Sequence, residues 1–165
     1  MKPLRHGVVG LGLVVCLAVA AAANAADTDT PSYKAPAAAA DDSSGLVKAR
    51  AAIAAKDYPG AIKILDALSQ SSPQDANVVN LLGFSYRMLG QYKQAFTYYD
   101  KALAIDPAHK GALEYEGEAY LETNQLPKAE ANLATLNRAC GAAGCPEVAQ
   151  LEAAIGRYKK QVKLN

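Results

Sequence analysis

The sequence predicts an all-α protein built as a stack of helix pairs, and three observations carry that prediction. Residues recur at a spacing of 34: Gly83 and Gly117, Tyr86 and Tyr120, Ala61, Ala95 and Ala129, and Pro73 and Pro107. A spacing in that range marks a solenoid of small repeated units, each covering its neighbour's apolar face. The composition is 51% hydrophobic but rich in alanine, with two Phe and no Trp. Small, unbranched side chains of that kind suit closely packed helices better than a sheet core. Gly, Asn, Asp and Pro fall at regular intervals between the apolar-periodic stretches, where helix ends are expected.

The first element is not structural. Lys2 and Arg5 precede an almost wholly apolar run from Gly7 to Ala23, and Ala23-Asn24-Ala25 offers small residues for cleavage. This is the layout of a secretory signal peptide, residues 1–25, cleaved after Ala25. An uncleaved anchor is the alternative, at the lower limit of spanning length. Cys16 follows Leu13-Val14-Val15 in the middle of the apolar run, which is unlike a lipidation site. Cleavage removes two of 17 positive charges and no acid, leaving 15 against 16 acidic residues and a mature charge of −1. So balanced a chain shows no broad electrostatic footprint for nucleic acid.

Residues 26–44 carry two prolines, small polar residues and the tract Ala37–Ala40, without apolar periodicity. They predict a flexible leader ending in the N-cap candidates Asp42, Ser43 and Ser44. Helix pairs are then expected at 46–56 with 59–71, 76–89 with 93–105, and 111–123 with 127–138. The breaks at Asp57-Tyr58, Gly90-Gln91 and Asn124-Gln125 offer left-handed geometry or an Asp cap. Ser72-Pro73 and Asp106-Pro107 stop the second helices, and Pro59 and Pro127 fall in first turns. A seventh helix, 146–161, carries Val148, Leu151, Ile155, Tyr158 and Val162 on one stripe. Its acids come early and its bases late, matching the helix dipole. It reads as a cap over the last repeat.

At residues 76–109 the pattern becomes specific. Val79, Leu82-Gly83, Tyr86, Ala95, Tyr99, Ala102 and Pro107 together resemble a tetratricopeptide repeat. The physics of the pattern is close approach at Gly83 and Ala95, with Tyr86 and Tyr99 filling the gaps between helices. The flanking units match less well. Ala49 and Ala52 replace Gly and Tyr in the first. In the third, Leu136 and Gly141 depart from the pattern, and Glu116 takes a place that usually holds a buried Leu. A lone buried carboxylate costs several kcal/mol, so Glu116 is expected to pair with Lys128 or to tilt outward. The resemblance implies a right-handed superhelix of three hairpins (about 42–75, 76–109 and 110–141) with a C-terminal capping helix and tail over 142–165.

The resemblance also implies a concave groove lined by the first helix of each pair. By position its residues are Leu46 and Arg50, then Asn77, Asn80, Leu81, Phe84, Arg87 and Met88, then Glu114, Tyr115, Glu118, Leu121 and Glu122. Phe84 and Met88 are expected on an exposed face opposite Leu82 and Tyr86, where they would anchor an apolar partner side chain. Arg87 and Asn80 would bond its backbone or an acidic group. The bland alternative is a solvated helix face. Leu46 and Arg50 replace the Lys and Asn with which one subfamily clamps a terminal carboxylate, so that clamp is not carried over.

Cys140 and Cys145 are the mature chain's cysteines, and in an exported protein they are expected to form a structural disulfide across the Gly141–Gly144 loop. A redox-active pair is the rival reading, because Cys145 precedes a helix start. His109 is the sole mature histidine, so a histidine-based metal site lacks ligands. There is no phosphate loop and no nucleophile elbow. The reading is a non-enzymatic binding protein with no cofactor and no metal, taking a protein or peptide partner, periplasmic or secreted. A thiol-redox partner and a self-associating scaffold remain as alternatives.

Overall fold

A computed structural model describes residues 44–164. The expected signal peptide, nearly all of the leader, and the cap candidates Asp42 and Ser43 lie outside the described residues. Seven helices follow one another: α1 Ser44–Ala54, α2 Tyr58–Ser71, α3 Ala76–Met88, α4 Tyr92–Ile105, α5 Lys110–Glu122, α6 Leu126–Cys140 and α7 Pro146–Leu164. No strand occurs among the described residues. Each odd helix pairs with the next, α2 packs on α3 and α4 on α5, and α7 closes over α5 and α6. This is an all-α superhelical array of three hairpins and a cap.

Local chemistry explains the boundaries. Asp57 accepts from the Gly60 amide at 2.9 Å, and Asp75 accepts from Asn77 and Val78 at 2.8 and 3.3 Å, so each caps a helix start. Pro59 and Pro127 sit in first turns, where no amide hydrogen is required. Gly90 and Asn124 take left-handed backbone at φ 71° and 59°. The first break uses Lys56 at φ 60°, one residue ahead of the expected Asp57. Asp57 is thereby released to cap α2.

Gly83 is required by contact. A Cβ there would lie 2.6 Å from Tyr99 Cε1 and 3.2 Å from the Ala95 carbonyl oxygen. Tyr99 and Ala95 are both wholly buried, so α3 and α4 meet at the closest range their backbones allow. Gly117, its counterpart 34 residues on, serves the cap instead: a Cβ there would meet Leu151 Cδ1 at 2.8 Å. Leu151 and Ile155 join Leu113, Leu121 and Leu136 in one apolar cluster, with Val148 and Tyr158 packed beside it. Burying a leucine this fully contributes about 2 kcal/mol. Val162, the last member of the expected stripe, is exposed.

Glu116 corrects an expectation. It is neither tilted outward nor paired with Lys128. It is buried, it accepts from Asn132 Nδ2 at 2.7 Å, and the Tyr120 hydroxyl lies at 3.4 Å. Lys128 instead sits 5.1 Å from the centre of the Tyr120 ring. Hydrogen bonds from neutral groups suffice because burial raises the Glu116 pKa and favours its protonated form. At the far end, the Cys140 and Cys145 sulfurs lie at disulfide distance, with Cα atoms 5.7 Å apart. They tie the end of α6 to the start of α7 across the turn Gly141–Ala143.

Candidate functional site

Helices α3 and α5 pack directly on one another as the first helices of successive repeats. Their facing sides hold an aromatic and ionic cluster. Phe84 lies edge-on to Tyr58 at 6.3 Å and tilted against Tyr115 at 5.0 Å. The Arg87 guanidinium carbon stands 5.5 Å from the Phe84 ring centre and 5.9 Å from that of Tyr115. Such stacking suits the planar, weakly hydrated guanidinium. Arg87 Nη1 donates to Glu118 at 2.6 Å and lies 3.5 Å from Glu122.

The exposure expected at Phe84 is not found. The ring is 0% exposed, and of the two apolar residues expected to be open to solvent only Met88 is so, at 38%. The reason is positional. Val78 to Ser85 are all buried in the central helix, so α3 has no bare apolar face there. The other groove candidates divide in the same way. Asn80, Arg87, Glu114 and Tyr115 are buried, Arg50 and Glu118 are half-buried, and Asn77 and Glu122 are exposed. Leu46, Leu81 and Leu121 are buried apolar residues.

Electrostatics follow from this burial. Desolvation disfavours the Arg87 charge, yet Tyr99, Glu118 and Glu122 outweigh it and push the pKa up, so the side chain stays a cation. Glu114 behaves oppositely. Burial first, then the charges of Glu118 and Glu147, raise it to about 8, with Arg87 only partly offsetting them. Asn80 Oδ1 and Arg87 Nε are buried without a hydrogen-bond partner. Orphaned polar atoms in a folded interior are uncommon, and each leaves an unmet bond.

Sequence reasoning missed the ion pairs and a second bridge at the other end of the same helices. His109 caps α5, with Nδ1 accepting from the Ala112 amide at 3.0 Å, while its Nε2 lies 3.2 Å from Asn77 Oδ1. Asn77 is therefore committed to an inter-helix bond. Arg87 and Glu118 are 31 residues apart, which is one repeat less a single turn. That offset was the available signal for the pair.

Two sequence models of the tetratricopeptide repeat match the chain, over residues 46–110 and 86–155. The segment 46–155 belongs to the tetratricopeptide-repeat family. Among curated proteins, the uncharacterized protein ycf37 of Guillardia theta is 42% identical over 55 residues, covering 33% of this chain and 31% of that one. Cell division cycle protein 27 homolog A of Arabidopsis thaliana is 35% identical over 71 residues, 43% of this chain and 10% of that one. The chain thus spans about a third of the former and a tenth of the latter. Among solved structures, the Sgt2 TPR domain from Aspergillus fumigatus superposes with a TM-score of 0.62 at 20% identity, covering 71% of this chain and 76% of that one. PcrH in complex with the chaperone binding region of PopD also gives 0.62, at 21% identity, covering 71% and 90%. At these identities the likeness is one of fold.

Proposed function

We propose that the chain is a non-enzymatic adaptor that binds a protein or peptide partner along the α3–α5 wall. The observation that carries this reading is the pair of buried, unpartnered polar atoms, Asn80 Oδ1 and Arg87 Nε, beside the Phe84–Tyr115 cluster. They lie beneath a rim of exposed side chains, Asn77, Met88 and Glu122, which are the groups a partner would meet first. Phe84 and Tyr115 are buried behind that rim and hold it in place, while Met88 supplies the exposed apolar area that an interface hot spot needs. The solved PcrH structure, of like fold, is a complex with a segment of another protein, PopD. This supports the same class of function here.

The leading segment supports export, with cleavage after Ala25 and work in the periplasm or outside the cell. In that setting Cys140–Cys145 serves as a structural strap. N-terminal sequencing of the secreted chain should begin at Ala26. The binding reading is tested by affinity capture from envelope extract, followed by titration of synthetic peptides from the captured protein. Asn80→Ala and Arg87→Lys, each confirmed folded by thermal melting, should weaken the best peptide at least about tenfold, the scale of a hot-spot residue. Unchanged affinity in both variants would remove the wall from the binding site.

A further inference from the structure

The first turn of α5 carries a glycine, and three side chains converge on it. A Cβ at Gly111 would lie 3.1 Å from Asn80 Nδ2, 3.6 Å from His109 Cε1 and 3.8 Å from Tyr115 Cε2. With no side chain there, these groups line a notch whose mouth is the half-buried Gly111 itself, while Asn80 and Glu114 are each 4% exposed. Glu114 stands one turn further along the same face of α5. Glu147, in the first turn of α7, is near enough for its charge to act on both Glu114 and His109. The notch holds more acceptors than donors. Asn80 Oδ1 and Glu147 Oε2 are buried without a hydrogen-bond partner, and Glu114 adds a carboxyl. The donors beside them are committed: Arg87 bonds Glu118, the Ala112 amide bonds His109 Nδ1, and His109 Nε2 faces Asn77. A buried acceptor of this kind calls for a donor from outside.

We infer that the notch at Gly111 receives a lysine side chain of the bound partner, its ammonium donating to Asn80 Oδ1 and to the Glu114 carboxyl. Lysine carries three donors on a slender four-carbon stem, which suits acceptors lying beneath a rim. The inference rests on the α3–α5 wall being the binding surface and names the chemistry that surface selects. The α5 dipole opposes a cation at this end, and charge-assisted bonding to a buried carboxylate outweighs it. Glu114 keeps its proton in the free chain, where Glu118 on its own helix, Glu147 on α7 and Arg87 on α3 are the charges that face it. The entering ammonium favours the carboxylate, so one proton leaves to solvent for each lysine bound. Affinity therefore rises with pH up to the free-chain value of about 8 and levels off above it.

The test uses n-butylammonium, a lysine side chain without its backbone, titrated into the full mature chain labelled with nitrogen-15 and followed by nuclear magnetic resonance. The Gly111 backbone amide and the Asn80 side-chain amide should shift together and saturate, with affinity at least about tenfold higher at pH 8 than at pH 6. Uncharged n-butanol should move neither. Glu114→Gln should bind more weakly and equally at both pH values, which separates this titration from that of His109. Gly111→Ala, on helical backbone that accepts alanine, fills the notch and should abolish the shifts. Asn80→Ala leaves the notch open without its acceptor and should weaken binding at least about fivefold. Shifts confined to residues 118–122, or equal affinity at pH 6 and pH 8 in the unaltered chain, would overturn the inference. A captured peptide that binds as well with its lysines replaced by norleucine would overturn it too, and would leave the wall reading standing. A peptide indifferent to Asn80→Ala and Arg87→Lys removes wall and notch together.

Discussion

Arg87 on α3 donates to Glu118 on α5 at 2.6 Å, and the arginine side chain is only 6% exposed. The bond joins two repeats from the inside, as the His109–Asn77 contact does at the other end of the same helices. Glu122, one turn along, lies 3.5 Å from the same nitrogen and is far more exposed. The pair is therefore asymmetric. Removing the buried base leaves the half-buried Glu118 without its cation and empties the space the guanidinium fills, while removing one acid leaves the base a second one. Arg87→Ala should lower the unfolding free energy by about 3 kcal/mol, the scale for breaking a buried pair. Glu118→Gln should cost about 1 kcal/mol. Urea unfolding of both variants checks the order, and equal losses would contradict it.

Three glycines should respond differently to alanine. At Gly83 a new Cβ would enter the Tyr99 ring edge, so overpacking should cost about 1–3 kcal/mol. At Gly90 space is open but φ is 71°, and the left-handed strain should cost about 1 kcal/mol. Gly156 lies within α7 with nothing near its added Cβ. There alanine should stabilise by about 1 kcal/mol, through helix propensity alone. Melting temperatures of the three single variants test the ranking.

The repeat period and the glycine–tyrosine spacing placed the six helices of the hairpins, because they report backbone approach, which varies little between members of a stack; the seventh was placed by its apolar stripe. Ends shifted by one to three residues, as at Lys56, where a residue unsuited to left-handed backbone takes it because Asp57 is needed as a cap. The wall was legible by position and illegible in its state. Helical phase put Phe84 opposite Leu82, but phase says nothing about what packs on each side. Tyr58 and Tyr115 reach Phe84 from neighbouring hairpins. Glu116 was recognised as misplaced, yet its partner Asn132 sits 16 residues away on the next helix, where no motif singles it out.

Glu116 should respond to replacement according to pH. Burial raises its pKa above that of the unfolded chain. The folded state then holds the proton more tightly, so its advantage is complete below about 4.5 and is lost as pH rises through the folded value. Glu116→Leu removes that penalty and leaves Asn132 bonded to the Leu113 carbonyl at 3.2 Å. The variant should melt higher than wild type, by more at pH 8 than at pH 5. A lower melting temperature at pH 8 would show that the Asn132 bond outweighs desolvation.

Glu114 extends this trend across neutrality. Its folded pKa is raised to about 8, so stability should decline between pH 5 and pH 8 as the folded chain loses a proton it prefers to keep. Glu114→Gln keeps the shape and abolishes the titration. Its urea midpoint should stay nearly level over that range and exceed the wild-type midpoint at pH 8. Parallel pH slopes for the two proteins would mean that the decline arises elsewhere.

His109 opposes both acids, and its geometry explains the sign. Nδ1 accepts from the Ala112 amide, so the neutral ring carries its hydrogen on Nε2, which points it at Asn77 Oδ1 3.2 Å away. Protonation puts a hydrogen on Nδ1 and turns the cap into a clash of two donors. Burial also disfavours the cation, and the folded pKa is lowered. A base with a lowered folded pKa stabilises fully above about 6.5 and loses that contribution as pH falls toward the folded value. His109→Asn can still cap the helix but does not titrate, so it should remove the loss of stability below pH 6.5. His109→Ala should lose about 1 kcal/mol above pH 6.5, the cost of a missing cap, and progressively less as pH falls and the wild-type ring loses the cap too. Nuclear magnetic resonance of the wild-type ring should show an Nε2-protonated tautomer at pH 7.5, and a cationic ring at that pH would contradict the capping role.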